Sequence, residues 1–330
     1  MKRWQTIFLL FLIAGTAYIL TTNTPYQKEE GKIFGTSYRI TYKSAEKYTE
    51  EIKNTLQQVD NSLSPFNKSS IISKINNNEE ATPDSMFLYV FNMAQEVSQA
   101  TDGAFDITVA PLVNAWGFGF KKGIEPDSAT IEEMKSYTGY KKITIVDGKI
   151  TKEHPQTMLN CSAIAKGYGC DAVARMLESK GIENYMVEIG GEVALKGKNS
   201  KDGRWVIGVN KPVEGTIQTN ELQTVLQLTD CSMATSGNYR NYRYIDGKKY
   251  SHTIDPHSGY PVTHTLLSAT VIARECAYAD ALATAFMVMG LEKSLQFCEQ
   301  HPEIEGYFIY ADDNGKMQTR ETEGFKKYKK

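Results

Sequence analysis

The sequence predicts an α+β fold, a largely antiparallel sheet with inserted and flanking helices, on three observations. Strand-like runs follow one another in hairpin-like succession, as around Asp147-Gly148, a dipeptide suited to a two-residue turn between paired strands. Helical periodicity comes in single segments inserted among those runs, not in strict alternation with them. The nearest approach to a dinucleotide-binding glycine pattern, Gly117-Phe118-Gly119-Phe120-Lys121-Lys122-Gly123, has the wrong spacing and follows no clear strand, which argues against a doubly wound parallel sheet.

The elements follow in order. Lys2 and Arg3 precede an apolar run over 7–20, about as long as a signal h-region and short of the roughly 20 residues of a comfortable membrane span. Residues 1–26 therefore read as a signal or anchor segment and tether, the polar tether stretch running over 21–32. The positive start keeps the N-terminus cytoplasmic and sends the rest of the chain outward. Residues 27–330 are long enough for one large domain or two tightly packed lobes. Within them, 32–42 predicts a strand. Residues 45–62 predict a helix with Ile52, Leu56 and Val59 on one face, and 87–101 a second with Phe87, Val90, Ala94 and Val97 inward. Residues 142–152 predict a hairpin, and 165–180 a helix closed by Gly181. Strands follow over 185–195, 204–209 and 223–228. Residues 250–255 alternate like a strand and end in the turn Asp255-Pro256-His257-Ser258-Gly259. A strand over 268–273, Ala-rich helix from 277, helix over 291–301 and strand over 306–310 complete the chain.

Thirty-seven basic against 39 acidic residues leave a net charge of −2, with none of the basic excess of a nucleic-acid binder. The five cysteines, Cys161, Cys170, Cys231, Cys276 and Cys298, show neither CxxC nor zinc spacing. Being odd in number they do not all pair within one chain. Buried thiols are the expectation, with a single Cys161–Cys170 bridge left open.

Chemistry-bearing residues concentrate between Ser232 and Ala285. On a helix, Asp280 and Thr284 lie one turn apart on one face, so a carboxylate and a hydroxyl converge. That pair suits a hard cation such as Mg²⁺ completed by phosphate oxygens; it also suits an Asp favoured by the helix dipole and a Thr bonded to its own backbone. Thr235-Ser236-Gly237, with Arg240 and Arg243 close by, has the character of an anion-binding turn. His252, near the end of its strand, is a candidate general base, with Asp255 near it as an orienting group; a hydrogen-bonded structural histidine is the plainer reading of it.

These segments, together with Phe34-Gly35-Thr36, Asn61 to Phe66 (NSLSPF), Thr101 to Gly119 (TDGAFDITVAPLVNAWGFG), Ser162 to Tyr168 (SAIAKGY) and Glu188 to Glu192 (EIGGE), resemble the ApbE family over residues 34 to about 290. The resemblance implies a T-fold-related architecture and transfer of FMN from FAD to a Ser or Thr hydroxyl of an acceptor protein, with release of AMP. It implies Mg²⁺ at Asp280, Thr284 and the main-chain carbonyl of Ala163, and Lys166 on the pyrophosphate or adenine side. It further implies flavin or ribityl contacts from Phe34, Asn61, Phe66, Asp106 and Ile254, and phosphate contacts from Thr235, Ser236 and Gly237. Asn160 departs from the acidic residue many relatives carry there. Trp116 reads as packing under the site.

Members of the family are often lipoproteins, but the first cysteine here is Cys161, which excludes lipidation next to the apolar run. The expected location is the periplasmic side of the cytoplasmic membrane, attached through the N-terminal segment or cleaved from it. The expected acceptor is a membrane redox-pump subunit. A Mg²⁺-dependent FAD pyrophosphatase, giving FMN and AMP, needs the same phosphate grip with water in place of the acceptor. A non-catalytic flavin-binding protein explains neither a metal pair nor a base.

Overall fold

The computed structural model describes residues 3–22, 24–121, 126–212, 221–238, 242–245 and 248–330. Helix α1 (Arg3–Thr22) leads into strands β1 (Tyr26–Ile33) and β2 (Thr36–Lys43), then helices α2 (Thr49–Leu63), α3 (Ile71–Asn76), α4 (Ser85–Ala100), α5 (Ala110–Ala115) and α6 (Ser128–Ser136). Strands β3 (Ile143–Val146) and β4 (Lys149–Lys152) precede helix α7 (Ala165–Ser179). Strands β5 (Tyr185–Ile189), β6 (Glu192–Lys196), β7 (Trp205–Asn210), β8 (Leu222–Leu228), β9 (Cys231–Gly237), β10 (Tyr242–Ile245), β11 (Lys248–Ser251) and β12 (Leu266–Ala273) follow. Helices α8 (Cys276–Met289) and α9 (Leu291–Gln300), and strands β13 (Glu305–Ala311) and β14 (Met317–Glu321), close the chain before a short 3₁₀ turn at Glu323–Tyr328.

Eight strands form one sheet in the order β1-β2-β5-β6-β9-β12-β13-β14, each neighbouring pair antiparallel. The pairs β3–β4, β7–β8 and β10–β11 are separate two-stranded ribbons. Alternation along the central strands sends their side chains to two different cores. Ala234, Ala269, Val271 and Phe308 join α4, α8 and α9 on one face, with α2 and α7 covering the neighbouring strands through Ile40, Val187 and Ala194. Met233, Ile272, Val193 and Ile309 point the other way, under the β7–β8 ribbon and Phe325. A smaller cluster of Leu112, Trp116, Ile131 and Ile254 lies between α5, α6 and the segment after β11.

The α+β expectation with a largely antiparallel sheet is borne out, and the β3–β4 hairpin turns at Asp147-Gly148, both with positive φ. Gly181 follows α7 with φ +75°, as expected of a helix-ending glycine. Two single-strand readings are corrected. The 32–42 strand is the second half of a hairpin whose first strand, β1, occupies the stretch read as a polar tether; an edge strand needs no apolar face to be held by pairing. The 185–195 strand folds back at Gly190-Gly191 into β5 and β6, because consecutive positive φ values reverse the chain there. The segment read as an anion-binding turn is the central strand β9. Its small hydroxyl residues look turn-like, but Ala234 and Met233 bury both faces and β12 pairs with it from Ser232 to Gly237. Arg240 lies outside the described residues.

All five cysteines are free thiols, and the Cys161–Cys170 bridge does not form. The Cys170 thiol donates instead to the Glu192 carbonyl oxygen at 3.3 Å.

Candidate active site

The site begins where α7 meets α8. Neither helix has a side-chain cap from its own N-cap residue, Ile164 or Glu275, so the first-turn amides need acceptors from elsewhere. Each helix supplies the other's. Asp280 of α8 accepts from the Gly167 amide at 3.0 Å, and Asp171 of α7 accepts from the Cys276 and Ala277 amides at 2.9 and 2.8 Å. Gly167 permits this, because a Cβ there would stand 2.3 Å from the Cys276 carbonyl oxygen. Burial raises the Asp171 carboxyl to about 7 against the pull of those two amides.

Lys166, one residue before that contact, reaches the Glu192 carboxylate at 2.5 Å and lies 3.7 Å from Asp280. The two carboxylate side chains are only 4% and 3% exposed, so a cation beside them is a physical requirement. Burial alone would lower the Lys166 ammonium; Asp280 and then Glu192 outweigh it and hold the ammonium above its ordinary value. Burial raises Glu192, with Lys166 opposing. The second carboxylate oxygen of Glu192, Oε2, is buried and has no hydrogen-bond partner.

Thr284 stands one turn beyond Asp280 on α8 and its hydroxyl lies 3.1 Å from that of Ser236 on β9. Strand alternation separates the three residues grouped by the sequence. Ser236 shares the helix-covered face with Ala234, whereas Thr235 faces the other side, paired at 2.9 Å with Thr270 across the ladder. Gly237 ends the strand opposite Ser268. The β6–β9 pairing stops at Val193↔Met233, so the β9 edge beyond Met233 opens toward Glu192 and the Gly190-Gly191 turn. Lys166, Glu192, Ser236, Asp280 and Thr284 thus come from four elements to one end of the sheet. Ala163 sits in the turn entering α7, where the Ala165 amide bonds to Cys161 at 2.8 Å and Ser162 to the Asn160 side chain at 2.9 Å.

Phe34 flanks this end from the β1–β2 turn. Its φ of +51° is unusual for a bulky side chain, a cost of about 1–3 kcal/mol that surrounding structure must hold. What holds it is α7: a Cβ on Gly169 would lie 2.8 Å from the Phe34 ring.

A second group forms around the 114–121 loop. Trp116 is buried, stacks on Tyr250 at 5.3 Å and donates from Nε1 to the Gly259 carbonyl oxygen at 2.9 Å, which makes it packing, as expected. His252 follows β11 directly, with Phe118 edge-on at 6.4 Å. Phe66 is 68% exposed and meets Phe120 of the same loop edge-on at 6.2 Å. Asn61, exposed near the end of α2, accepts from Asn67 and Gln57. The two groups meet where the Thr253 hydroxyl donates to the Asn238 side chain at 2.6 Å, tying the residue after His252 to the end of β9.

Three of the expected site residues also carry structural contacts. Asp255 accepts from the His257 and Ser258 amides at 3.0 and 3.3 Å, so its carboxylate builds the turn after the histidine. Asp106 is spent in the same manner, one oxygen accepting from the Thr108 amide and hydroxyl and the other from the Tyr140 amide at 2.8 Å. The Ile254 side chain packs in the Leu112–Trp116–Ile131 cluster, so only its backbone faces outward chemistry. Conversely, Asp171 was not among the expected site residues and Glu192 figured only within a matched segment. A carboxylate that acts across to another element has no spacing signature in the chain.

Among the described residues, no group of three or more His, Cys, Asp and Glu side chains is arranged to hold a metal by itself. A hard cation shared with phosphate asks for less, about one carboxylate and one or two neutral oxygens. Asp280, Thr284 and Ser236 meet that demand, and the unpartnered oxygen of buried Glu192 leaves local negative charge for a cation to offset.

Residues 34–308 match the model of the ApbE family. The chain belongs to the ApbE family. Its relatives include the FAD:protein FMN transferases of Haemophilus influenzae, 38% identical over 90% of each chain, and of Vibrio cholerae, 37% identical over 86% of this chain and 87% of that one. The Escherichia coli protein of the same name is 34% identical over 90% of this chain and 85% of its own. Among solved structures, the flavin transferase ApbE from Vibrio cholerae superposes with a TM-score of 0.81 at 35% identity, covering 92% of this chain and all (100%) of the other. The apo flavinyl transferase ApbE of Pseudomonas stutzeri gives 0.81 at 30% identity, covering 92% and 96%.

Proposed function

We propose that this ApbE-family chain transfers the FMN half of FAD to a Ser or Thr hydroxyl of an acceptor protein, forming a phosphoester and releasing AMP. The observation that carries this reading is the convergence of Lys166, Asp280, Thr284 and Ser236 at one end of the sheet, joined through Asn238 and Thr253 to His252. One half can grip a pyrophosphate, and the other can take a proton.

The acceptor oxygen attacks the phosphorus on the FMN side, the bond to the bridging oxygen breaks, and its electrons leave with AMP. His252 takes the hydroxyl proton as the new oxygen–phosphorus bond forms. Lys166 offsets charge on the pyrophosphate from its place between Glu192 and Asp280. Mg²⁺ held by Asp280, Thr284 and the Ala163 carbonyl would neutralise the phosphate oxygens when bound. Phe34 and Phe66 offer aromatic faces to the isoalloxazine from the two sides of the site.

The exposed apolar surface of α1 supports an export reading. Trp4, Phe8 and Phe11 are 86%, 68% and 80% exposed, more apolar surface than a protein leaves in water. Among the described residues no helix is long and apolar enough to cross a membrane. The proposed acceptor is a redox-pump subunit whose modified domain faces the same periplasmic side.

Mass spectrometry tests the activity: the chain is incubated with FAD, Mg²⁺ and an acceptor domain carrying the Thr. An acceptor heavier by one FMN residue, with EDTA preventing the gain, is the expected result. Free FMN and AMP beside an unmodified acceptor would make it a pyrophosphatase instead.

A further inference from the structure

We infer that Glu192 is a positioning residue that holds the Lys166 ammonium away from Asp280, and so keeps the Asp280 carboxylate available to a divalent cation. The inference rests on the cation reading given above and adds a residue that reading does not use.

Two buried carboxylates compete here for one ammonium. Lys166 is 2.5 Å from Glu192 and 3.7 Å from Asp280, so the strong, charge-assisted hydrogen bond goes to Glu192 and Asp280 keeps only the weaker Coulombic contact. Asp280 takes the Gly167 amide with one oxygen, which leaves the other facing the ammonium. Without the Glu192 charge, no carboxylate other than Asp280 lies within ion-pair distance of Lys166 among the described residues, and its flexible four-carbon stem allows closure onto Asp280. A lysine in full contact would then occupy the space and the charge that a cation needs.

Glu192 is built for that task. It is the first residue of β6, directly after the Gly190-Gly191 reversal, and its main chain is fixed by pairing with Ile189 and by the Cys170 thiol. Gly190 leaves room for the carboxylate, since a Cβ there would lie 3.3 Å from Glu192 Oε2. The side chain is therefore confined close to Lys166. Its second oxygen, buried and unpartnered, marks a cluster with more negative than positive charge: two carboxylates against one ammonium. Such a cluster attracts a cation as long as the ammonium is not drawn onto the cation's own ligand.

The test measures Mn²⁺ binding by electron paramagnetic resonance in the full chain, held in detergent and without FAD. Mn²⁺ serves as an oxygen-seeking probe for the site. Removing a contact charge moves site affinities by a factor of about 10 or more, so E192Q is expected to bind Mn²⁺ at least about tenfold more weakly than the wild type. The double variant K166M/E192Q, which has no ammonium to collapse onto Asp280, is expected to return to within about threefold of wild type, because the pairwise term has been removed with both partners. E192D, which keeps the charge, is expected to lie between E192Q and the wild type. Unchanged binding in E192Q overturns the inference. So does weak binding in E192Q that K166M fails to restore, which would make Glu192 a direct ligand or a fold element. If E192Q does not fold, K166M alone decides: binding at least as tight as wild type supports competition by the lysine, and weaker binding overturns it. A wild-type chain that binds no Mn²⁺ overturns the cation reading itself, and the inference with it.

Discussion

The two halves of the site are built from different material. The Lys166–Glu192–Asp280–Thr284 half stands on two helices and the central sheet, with both carboxylates buried and the helices capping one another. The His252 half stands on a two-stranded ribbon and the 114–121 loop, held by aromatic contacts, the Trp116 bond to Gly259, an Arg243 bond to the Trp116 carbonyl oxygen and the Thr253 bond to Asn238. A pyrophosphate has one shape, and a rigid frame pre-pays the cost of holding it. A protein acceptor must enter and leave, which suits loops on a fixed scaffold. The comparison teaches that grip and acceptance are separable, so each should fail alone.

The largest effect is expected at the grip. Asp280→Asn keeps an acceptor for the Gly167 amide but removes the charge, and transfer should fall by roughly a thousandfold or more, the scale of lost electrostatic stabilisation at a transferring phosphoryl group. Rates measured against Mg²⁺ concentration check this; near-normal transfer would remove Asp280 from the cation site. Next comes the acceptor half. His252→Ala should lose about 10²–10⁴-fold in transfer, the contribution of a positioned general base. An unchanged rate in the same acceptor assay would discard it as the base.

The third effect is on the frame. Gly167→Ala forces a methyl to within 2.3 Å of the Cys276 carbonyl oxygen, and backbone there has little room to move. Overpacking of this kind costs about 1–3 kcal/mol, and separating α7 from α8 loosens both caps at once. A lower melting temperature together with weaker FAD binding is expected; a matching Ala on Gly203, where a Cβ meets nothing nearer than Asn199 at 3.7 Å, should leave both unchanged.

The smallest effect is a pH dependence at the far end of α8. His264 holds the Met287 carbonyl oxygen with Nε2 at 2.9 Å and accepts from the Leu266 amide with Nδ1 at 3.3 Å, the pattern of a neutral ring. Burial lowers its proton affinity below the ordinary value of 6.5. The unfolded chain therefore binds the proton more readily than the folded one, and stability should fall as pH drops below about 6.5. Denaturant melts of the wild type and His264→Gln between neutral and acid pH check the sign: the slope should shrink in the variant.

Legibility in the sequence followed the same division. Asp280 and Thr284 are readable because four residues on a helix set a face, and His252 because it follows an alternating strand into an Asp-Pro turn. Glu192 and Asp171 are not, since their partners lie 26 and 105 or 106 residues away. The hydroxyl run Thr235-Ser236-Gly237 misleads for a physical reason: small polar residues favour turns locally. Burial of Met233 and Ala234 on opposite faces overrides that preference and leaves only Ser236 beside Thr284. In the fold, strand positions were legible but reversals were weakly marked, as at Phe34-Gly35, where an aromatic residue takes a conformation usually left to Gly or Asn.

The separability of grip and acceptance is tested most directly by equilibrium titration of FAD into the wild type, His252→Ala and Asp280→Asn, each with and without Mg²⁺. His252→Ala is expected to bind FAD as the wild type does and to keep the Mg²⁺ enhancement, while Asp280→Asn is expected to lose the enhancement. Equal loss of FAD binding in both variants would contradict that separability, and would make the histidine part of the grip.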